Sequence, residues 1–390
     1  MNNIFDQKID RKDTNCTKYD GLAATFGKDD IMPFWIADMD FPVRNSVTEA
    51  LIQRTNHPIY GYNLIPHSYY GAFIAWQNKH HNWEVKKEWL AHTSGVLTGL
   101  AAAILTFTKE SDGILIQSPV YFPFSSTIEA LGRKVVNNQL KYEDGNFRID
   151  FEDLERKARQ AKLFIFCSPH NPSGRVWSIE ELKKVEEICK KHDLFVFSDE
   201  IHSDIVYKPN KHVVFATISE WSKENSIVAM APSKTFNIPG LHMSIMIIPN
   251  EDLRREYTYY LRYGLHCANP NSFGIVAAEA CYQNGERWYK HLLEYLENNI
   301  NYLDNTLKKE IPEIKFVKPQ ATYIPLLDMK ALNMTDEELQ NFMVYKVGVA
   351  LNLGKTFGDG GEGFMRINVA TQQEDLVKFI DMLKTAIKGV

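Results

Sequence analysis

Four short stretches place reactive side chains directly after apolar runs. GILIQS (113–118) leads into PVYFPF (119–124), and KLFIFC (162–167) into SPHNPSGR (168–175). LFVFSD (194–199) ends in Asp199-Glu200-Ile201-His202, and SIVAM (226–230) is followed by APSKTFN (231–237). Together they offer an amine, a carboxylate, an imidazole and an amide, groups on which acid–base and covalent catalysis draw. Each has a plain structural reading of its own. Asn-Pro-Ser-Gly is a routine turn, an Asp closing a strand often caps a helix, and most lysines are solvated charges.

The apolar runs must be the positioning elements. Those four, with MSIMII (243–248), are nearly continuous rather than alternating, as strands of a mostly parallel sheet covered on both faces would be. Open sheets of this kind bind ligands beyond the carboxyl ends of their strands, where the four stretches fall. Helices should fill the gaps. IEELKKVEEICKKHD (179–193) sets Leu182, Val185 and Ile188 on one stripe, with Ser178 as N-cap and Glu181 three residues on. From Pro270 to about 310 the pattern predicts two helices broken near Asn284-Gly285. Beyond it, strands around 322–328 and 364–369, a helix at 335–347 and a terminal helix suggest a smaller α+β domain.

Composition narrows the classes. The 390 residues are 44% hydrophobic and 24% charged, which is ordinary for a globular protein. A net charge of −5 argues against a nucleic-acid-binding face, so no nucleic-acid partner is expected. Five cysteines without a CxxC pair indicate neither a disulfide framework nor a zinc site, and no metal is expected. The polar residues 1–20 and the lack of a run of about 18 apolar residues predict no signal peptide, no membrane span and a cytoplasmic location.

The order of the motifs adds what no single one carries. FDQKIDRKDTNCTKYD, PFWIADMDFP, IYGYN, SPVYFPF, SPHNPSGRVW, SDEIHSDIVY, SKTFNIPGL and FMRINVA span nearly the whole chain. Together they resemble the MalY/PatB-type cystathionine β-lyases, relatives of the class I and II aminotransferases. The resemblance implies the α/β, fold-type I architecture of enzymes that use pyridoxal 5′-phosphate (PLP). Its large cofactor-binding domain would comprise 47–287, and a small domain 1–46 and 288–390.

The resemblance also implies roles. Lys234 is the lysine that binds the cofactor carbonyl as an imine and, once freed, takes the substrate α-proton. Asp199 pairs with the pyridine nitrogen, Asn171 and His202 with the phenolic oxygen, and Tyr121 stacks on the ring. Gly95 and Val96, at a helix start in HTSGVLTGL, hold the phosphate with Ser233, while Tyr62, ahead of Tyr60, reaches it from the neighbouring subunit of a homodimer with shared sites. Arg366, with Ala37 and Asn171, binds the substrate α-carboxylate. The stretch Ile31, Met32, Pro33, Phe34 and Trp35 is a candidate side-chain pocket, which would favour an apolar leaving thiol.

One departure stands out. His242 takes a position where many fold relatives have an arginine on the phosphate, and Ala231 one where others have serine, so phosphate contacts are expected to be fewer or differently placed.

The activity so implied is α,β-elimination from L-cystathionine or related L-cysteine S-conjugates, giving thiol, ammonia and pyruvate. An aminotransferase on the same scaffold is the first alternative, and a lyase with an added regulatory protein-binding role the second. The motifs begin at Phe5, which leaves no room for an N-terminal DNA-binding domain.

Overall fold

The computed structural model describes residues 4–388, so the ends of the expected small domain, 1–3 and 389–390, lie outside the described residues. The apolar runs form a seven-stranded sheet: β1 (Leu90–Thr93), β2 (Gly113–Ile116), β3 (Lys134–Asn137), β4 (Leu163–Cys167), β5 (Phe195–Asp199), β6 (Ser226–Met230) and β7 (Ser244–Ile247). Their spatial order is β1-β7-β6-β5-β4-β2-β3. Only the two pairings of β7 are antiparallel. The register Cys167↔Asp199 and Asp199↔Ala229 brings the ends of β4, β5 and β6 side by side.

Both faces of the sheet are covered, which explains the unbroken apolar runs. Helix α1 (Val96–Phe107) buries Leu100, Ala103 and Ile104 against Ile114, Ile165, Phe197 and Ala229. It lies very close to the sheet at Gly99, where an added Cβ would stand 2.6 Å from Met246 Sδ and Cε. On the other face, the helix Ile179–Lys191 packs Leu182, Val185 and Ile188 against Phe164, Phe166 and Val196. The expected capping box is present, with Ser178 and Glu181 closing it reciprocally.

The predicted break after residue 284 is real, with helices Ser272–Asn284 and Glu286–Glu310. The C-terminal strands are shorter than expected. A four-stranded antiparallel sheet consists of β8 (Lys315–Val317), β9 (Leu326–Asp328), β10 (Asn352–Leu353) and β11 (Phe364–Arg366), in the order β8-β9-β11-β10. Residues 322–325 stay outside it, where Tyr323, buried at 0% exposure, receives Val369 N–H on its carbonyl. The N-terminal segment joins this part of the chain through a parallel ladder, Met32↔Val349 and Pro33↔Ala350. Among the described residues all five cysteines are free, and no helix is long and apolar enough to cross a membrane.

Candidate active site

A cavity of about 1000 Å³ opens at the carboxyl ends of β4, β5 and β6. Ala37, Gly95, Val96, Tyr121, Asn171, Asp199, His202, Ser233, Lys234 and Arg366 all line it, as do Ala231 and His242. These residues come from seven separate regions of the chain. Tyr62 is not among them. It stands fully exposed in a loop with Ile59, Tyr60 and Leu64, which are also exposed.

Lys234 sits in the short helical turn Pro232–Thr235 after β6. Thr235 fixes that turn by donating to Asp204 Oδ2 at 2.6 Å, and Asp204 also accepts from Trp76 Nε1 at 3.0 Å and pairs with His81 Nε2 at 2.8 Å. The lysine Nζ donates to the Ala37 carbonyl at 2.7 Å. Burial, with the Arg366 charge, pulls its pKa down to about 8 against the opposing pull of Asp38 and Asp199. Near neutrality about a tenth of this amine is therefore available as nucleophile or base, far more than for a free lysine.

Asp199 ends β5 with its Oδ1 accepting from Ile201 N–H at 3.1 Å. Burial pushes its carboxyl up to about 7, the backbone bond and Lys234 opposing and Glu200 adding to the shift. Such a group calls for a cation beside it. His202, three residues on, is held neutral with its pKa depressed to about 3 by burial and by the Lys234 and Arg366 charges. Its buried Nδ1 has no hydrogen-bond partner among the described residues, a state that costs free energy unless a ligand meets it.

Asn171 is set by the turn after β4. Gly174, at φ +70°, leaves no room for a side chain, since a Cβ would lie 2.6 Å from Pro319. Its carbonyl accepts from Gln320 and Ala321 N–H. Arg175 locks the turn through both oxygens of Glu181, each at 2.9 Å. Elsewhere on the cavity wall, α1 begins at Val96 after Gly95, and no side chain among the described residues caps it. A Cβ on Gly95 would meet nothing within 4 Å. The open first turn and its dipole suit an anion.

Arg366, at the end of β11, donates from Nη1 to Asn171 Oδ1 at 3.3 Å and from Nη2 to Asn352 Oδ1 at 2.8 Å and the Trp35 carbonyl at 3.1 Å. Its guanidinium lies 4.7 Å from the Phe357 ring centroid. No carboxylate pairs with it among the described residues, so it is poised for an incoming one.

The expected side-chain pocket is corrected. Of Ile31 to Trp35 only Trp35 lines the cavity. Ile31 and Phe34 are core residues at 5% and 2% exposure, and Met32 and Pro33 are engaged in the ladder with 349–350. An apolar run is equally what a buried strand demands.

Sequence reasoning also missed several groups. Tyr323 donates to the Ala37 carbonyl at 3.0 Å, so that carbonyl holds both Tyr323 and Lys234. Asn368 Nδ2 donates to the Ile36 and Asp38 carbonyls, and Asn237 Nδ2 to those of Met39 and Phe41. These clamps hold the 36–41 loop over the lysine. Asn237 and Asn368 lay inside the motifs SKTFN and FMRINVA without a role, whereas Tyr323 and Asn352 lay in none.

Comparison with known proteins adds a family. The aminotransferase class I and II family matches residues 29–383. Cystathionine beta-lyase PatB of Bacillus subtilis (strain 168) is 41% identical over 386 residues, covering 98% of this chain and 99% of its own. The crystal structure of cystalysin from Treponema denticola, which contains a pyridoxal 5′-phosphate cofactor, superposes with a TM-score of 0.96 at 33% identity, covering both chains completely. The PLP-bound C-S lyase from Staphylococcus hominis gives 0.91 at 34% identity, over 99% of this chain and 98% of that one.

Proposed function

The chain belongs to the class I and II aminotransferase family, and on that premise we propose that it is a PLP-dependent carbon–sulfur β-lyase acting on L-cystathionine or related L-cysteine S-conjugates. The observation that carries this reading is the convergence in one cavity of an activated lysine, a buried carboxylate in need of a cation, an unpartnered imidazole nitrogen and an uncapped helix end. They match the carbonyl, ring nitrogen, phenolic oxygen and phosphate of PLP in chemical type. Similarity to proteins named as cystathionine and C-S lyases favours the lyase over the aminotransferase.

In this reading Lys234 and Asp199 hold the cofactor at its carbonyl and ring nitrogen, and Asn171 and His202 at the phenolic oxygen. Tyr121 stacks on the ring, and Gly95, Val96 and Ser233 take the phosphate. PLP, when bound, supplies the electron sink for the pair left behind when the Cα–H bond breaks. Arg366 turns from Asn171 and Asn352 to the substrate α-carboxylate, which fixes Cα near Lys234. The Lys234 amine takes the α-proton, and the Ala37 carbonyl receives the resulting ammonium. That proton is then at hand for the departing thiolate. With one water consumed, the products balance as thiol, pyruvate and ammonium. Release of pyruvate in step with thiol from an S-conjugate tests the assignment, and thiol release without pyruvate would refute it.

Arg366→Ala should weaken chiefly substrates with a free α-carboxylate. Loss of one side of a buried charge contact costs about 2–5 kcal/mol, so affinity should fall well beyond tenfold. Unchanged affinity for the acid, measured against its amide, would remove Arg366 from this role.

Uptake of PLP by cofactor-free protein should depend on pH. Only the neutral amine attacks a carbonyl, so the rate should climb about tenfold per pH unit and level off near the Lys234 pKa of about 8. A rate still climbing well beyond pH 8 would mean that the amine is not depressed as described, and a flat profile below that value that its deprotonation does not limit uptake.

The assembly proposed is a cytoplasmic homodimer in which Tyr62 completes the site of the partner subunit. Supporting it, Tyr62 is fully exposed amid the exposed apolar side chains of Ile59, Tyr60 and Leu64. Mixing inactive Tyr62→Ala with inactive Lys234→Ala chains should restore one complete site per heterodimer. No recovery above the parents, in heterodimers verified by tagged purification, would place the tyrosine's action within its own chain.

A further inference from the structure

Two buried carboxylates, Glu200 and Asp204, stand behind the cavity without lining it. Glu200 follows Asp199 directly. Its Oε1 accepts from Ser198 Oγ and from Phe215 N–H, each at 2.9 Å, and its Oε2 pairs with His212 Nε2 at 2.6 Å. Its own N–H donates to the Ala229 carbonyl at 2.9 Å, so the end of β5 is pinned to β6. Asp204 anchors the other side through Thr235, next to Lys234. Besides Trp76 and His81 it holds Tyr289, whose hydroxyl donates to the Asp204 carbonyl at 2.7 Å. The helices His67–His81 and Glu286–Glu310 therefore both bear on it.

The two acid–imidazole pairs touch. The rings of His81 and His212 meet edge to face, with centroids 5.7 Å apart and planes at 88°. Their side chains are only 4% and 2% exposed. An unbroken run of contacts thus leads from Asp199 through Glu200, His212, His81, Asp204 and Thr235 to Lys234. His212 Nδ1 has no hydrogen-bond partner among the described residues, so beyond Glu200 this imidazole meets the protein by packing. Burial opposes the Asp204 charge, yet the His81 bond and charge, with the bonds from Thr235 and Trp76, hold its pKa down at about 2. That end of the run stays ionised across the physiological range.

The reaction gives such a run a task. The cofactor's carbonyl and ring nitrogen lie at opposite ends of one rigid pyridine ring, so the groups that hold them must keep a fixed separation. The register Asp199↔Ala229 sets the strand ends alone. Lys234 lies five residues beyond Ala229, in a helical turn of four residues that has no side-chain N-cap. A turn that short does not hold itself. Stability does not account for the run either, since buried ion pairs contribute little to it.

We propose that Glu200, His212, His81 and Asp204 act as one set of positioning residues, which holds Asp199 and Lys234 at the separation that the cofactor ring demands. The inference rests on the PLP reading of the site and deepens it. None of the four lines the cavity, so each acts through its neighbour. A misplacement of about 1 Å at either end is enough to cost on the order of a hundredfold in rate. Because the four are linked, loosening one end of the run loosens the other.

The test follows PLP uptake by cofactor-free protein at saturating PLP, with the Lys234 label trapped by borohydride and read by mass across a pH series. Thr235→Val keeps the shape of the side chain but loses the hydroxyl, and Thr235→Ser keeps the hydroxyl. His212→Gln retains an amide for Glu200 but no ring against His81. The plateau rate is expected to fall about tenfold or more in Thr235→Val and to stay within about twofold of wild type in Thr235→Ser. In His212→Gln it should fall about threefold or more, and the double variant should lose less than the product of the two single losses. The midpoint should stay near pH 8 throughout, because burial, Arg366, Asp38 and Asp199 set the Lys234 pKa and none of these is altered. A wild-type plateau in Thr235→Val, no rescue by serine, a displaced midpoint or losses that simply multiply would each overturn the inference while leaving the cofactor site intact. If His212→Gln does not fold, the valine and serine variants decide alone. Wild-type protein that takes no label on Lys234 overturns the PLP reading, and the inference falls with it.

Discussion

Replacing Lys234 by alanine should abolish elimination, with turnover falling by at least about 10⁴-fold, because one amine serves both as the cofactor's anchor and as the base. Its neighbours cannot substitute. Arg366 remains protonated, with a pKa of about 10 even after burial has lowered it, and His202, held neutral, has no primary amine with which to anchor the cofactor carbonyl. A second readout does not depend on activity. After borohydride treatment of the PLP-loaded protein, wild-type mass should rise by one pyridoxyl phosphate carried on Lys234, and the variant mass should not. Equal labelling of the variant, or near-normal turnover, would remove Lys234 from its assigned role.

Asp199→Asn is expected to keep the fold and part of the bound PLP while losing several orders of magnitude in rate. The carboxylate lies at the end of β5 with a pKa pushed up to about 7, and a protonated ring nitrogen would supply the counter-charge it lacks. An amide of the same shape cannot keep that nitrogen protonated, so the electron pair from Cα has nowhere to settle. The substitution also removes a buried charge, so stability should hold or improve. A rate loss below about tenfold, or roughly 1.4 kcal/mol, would mean that the ring charge is set by another group.

The sheet was legible because a parallel strand buried on both faces must be apolar throughout, and β2, β4, β5 and β6 carry that signature. Their ends offered Asn171, Asp199 and Lys234 as candidates, each with a plain structural reading of its own, and it was the order of the motifs and the family resemblance that gave them roles. What escaped sequence reasoning depends on contacts between distant segments. Tyr323 meets Ala37 across 286 positions and Arg11 meets Asp38 across 27, and no periodicity encodes either pairing. The 31–35 stretch misled for a different reason. Its apolar side chains satisfy a core and a ladder to Val349 and Ala350, a demand that looks identical, in one dimension, to that of a binding pocket. Asn352 was invisible because a two-residue strand leaves no pattern.

The claim that the cavity performs elimination rather than amino-group transfer is tested most directly by a mass balance. PLP-loaded protein and S-propyl-L-cysteine should yield thiol, pyruvate and ammonium in equal amounts, at a rate indifferent to added α-keto acid. Formation of a new amino acid in proportion to the keto acid, with the thioether bond intact and no thiol released, would contradict the account and assign the site to transamination.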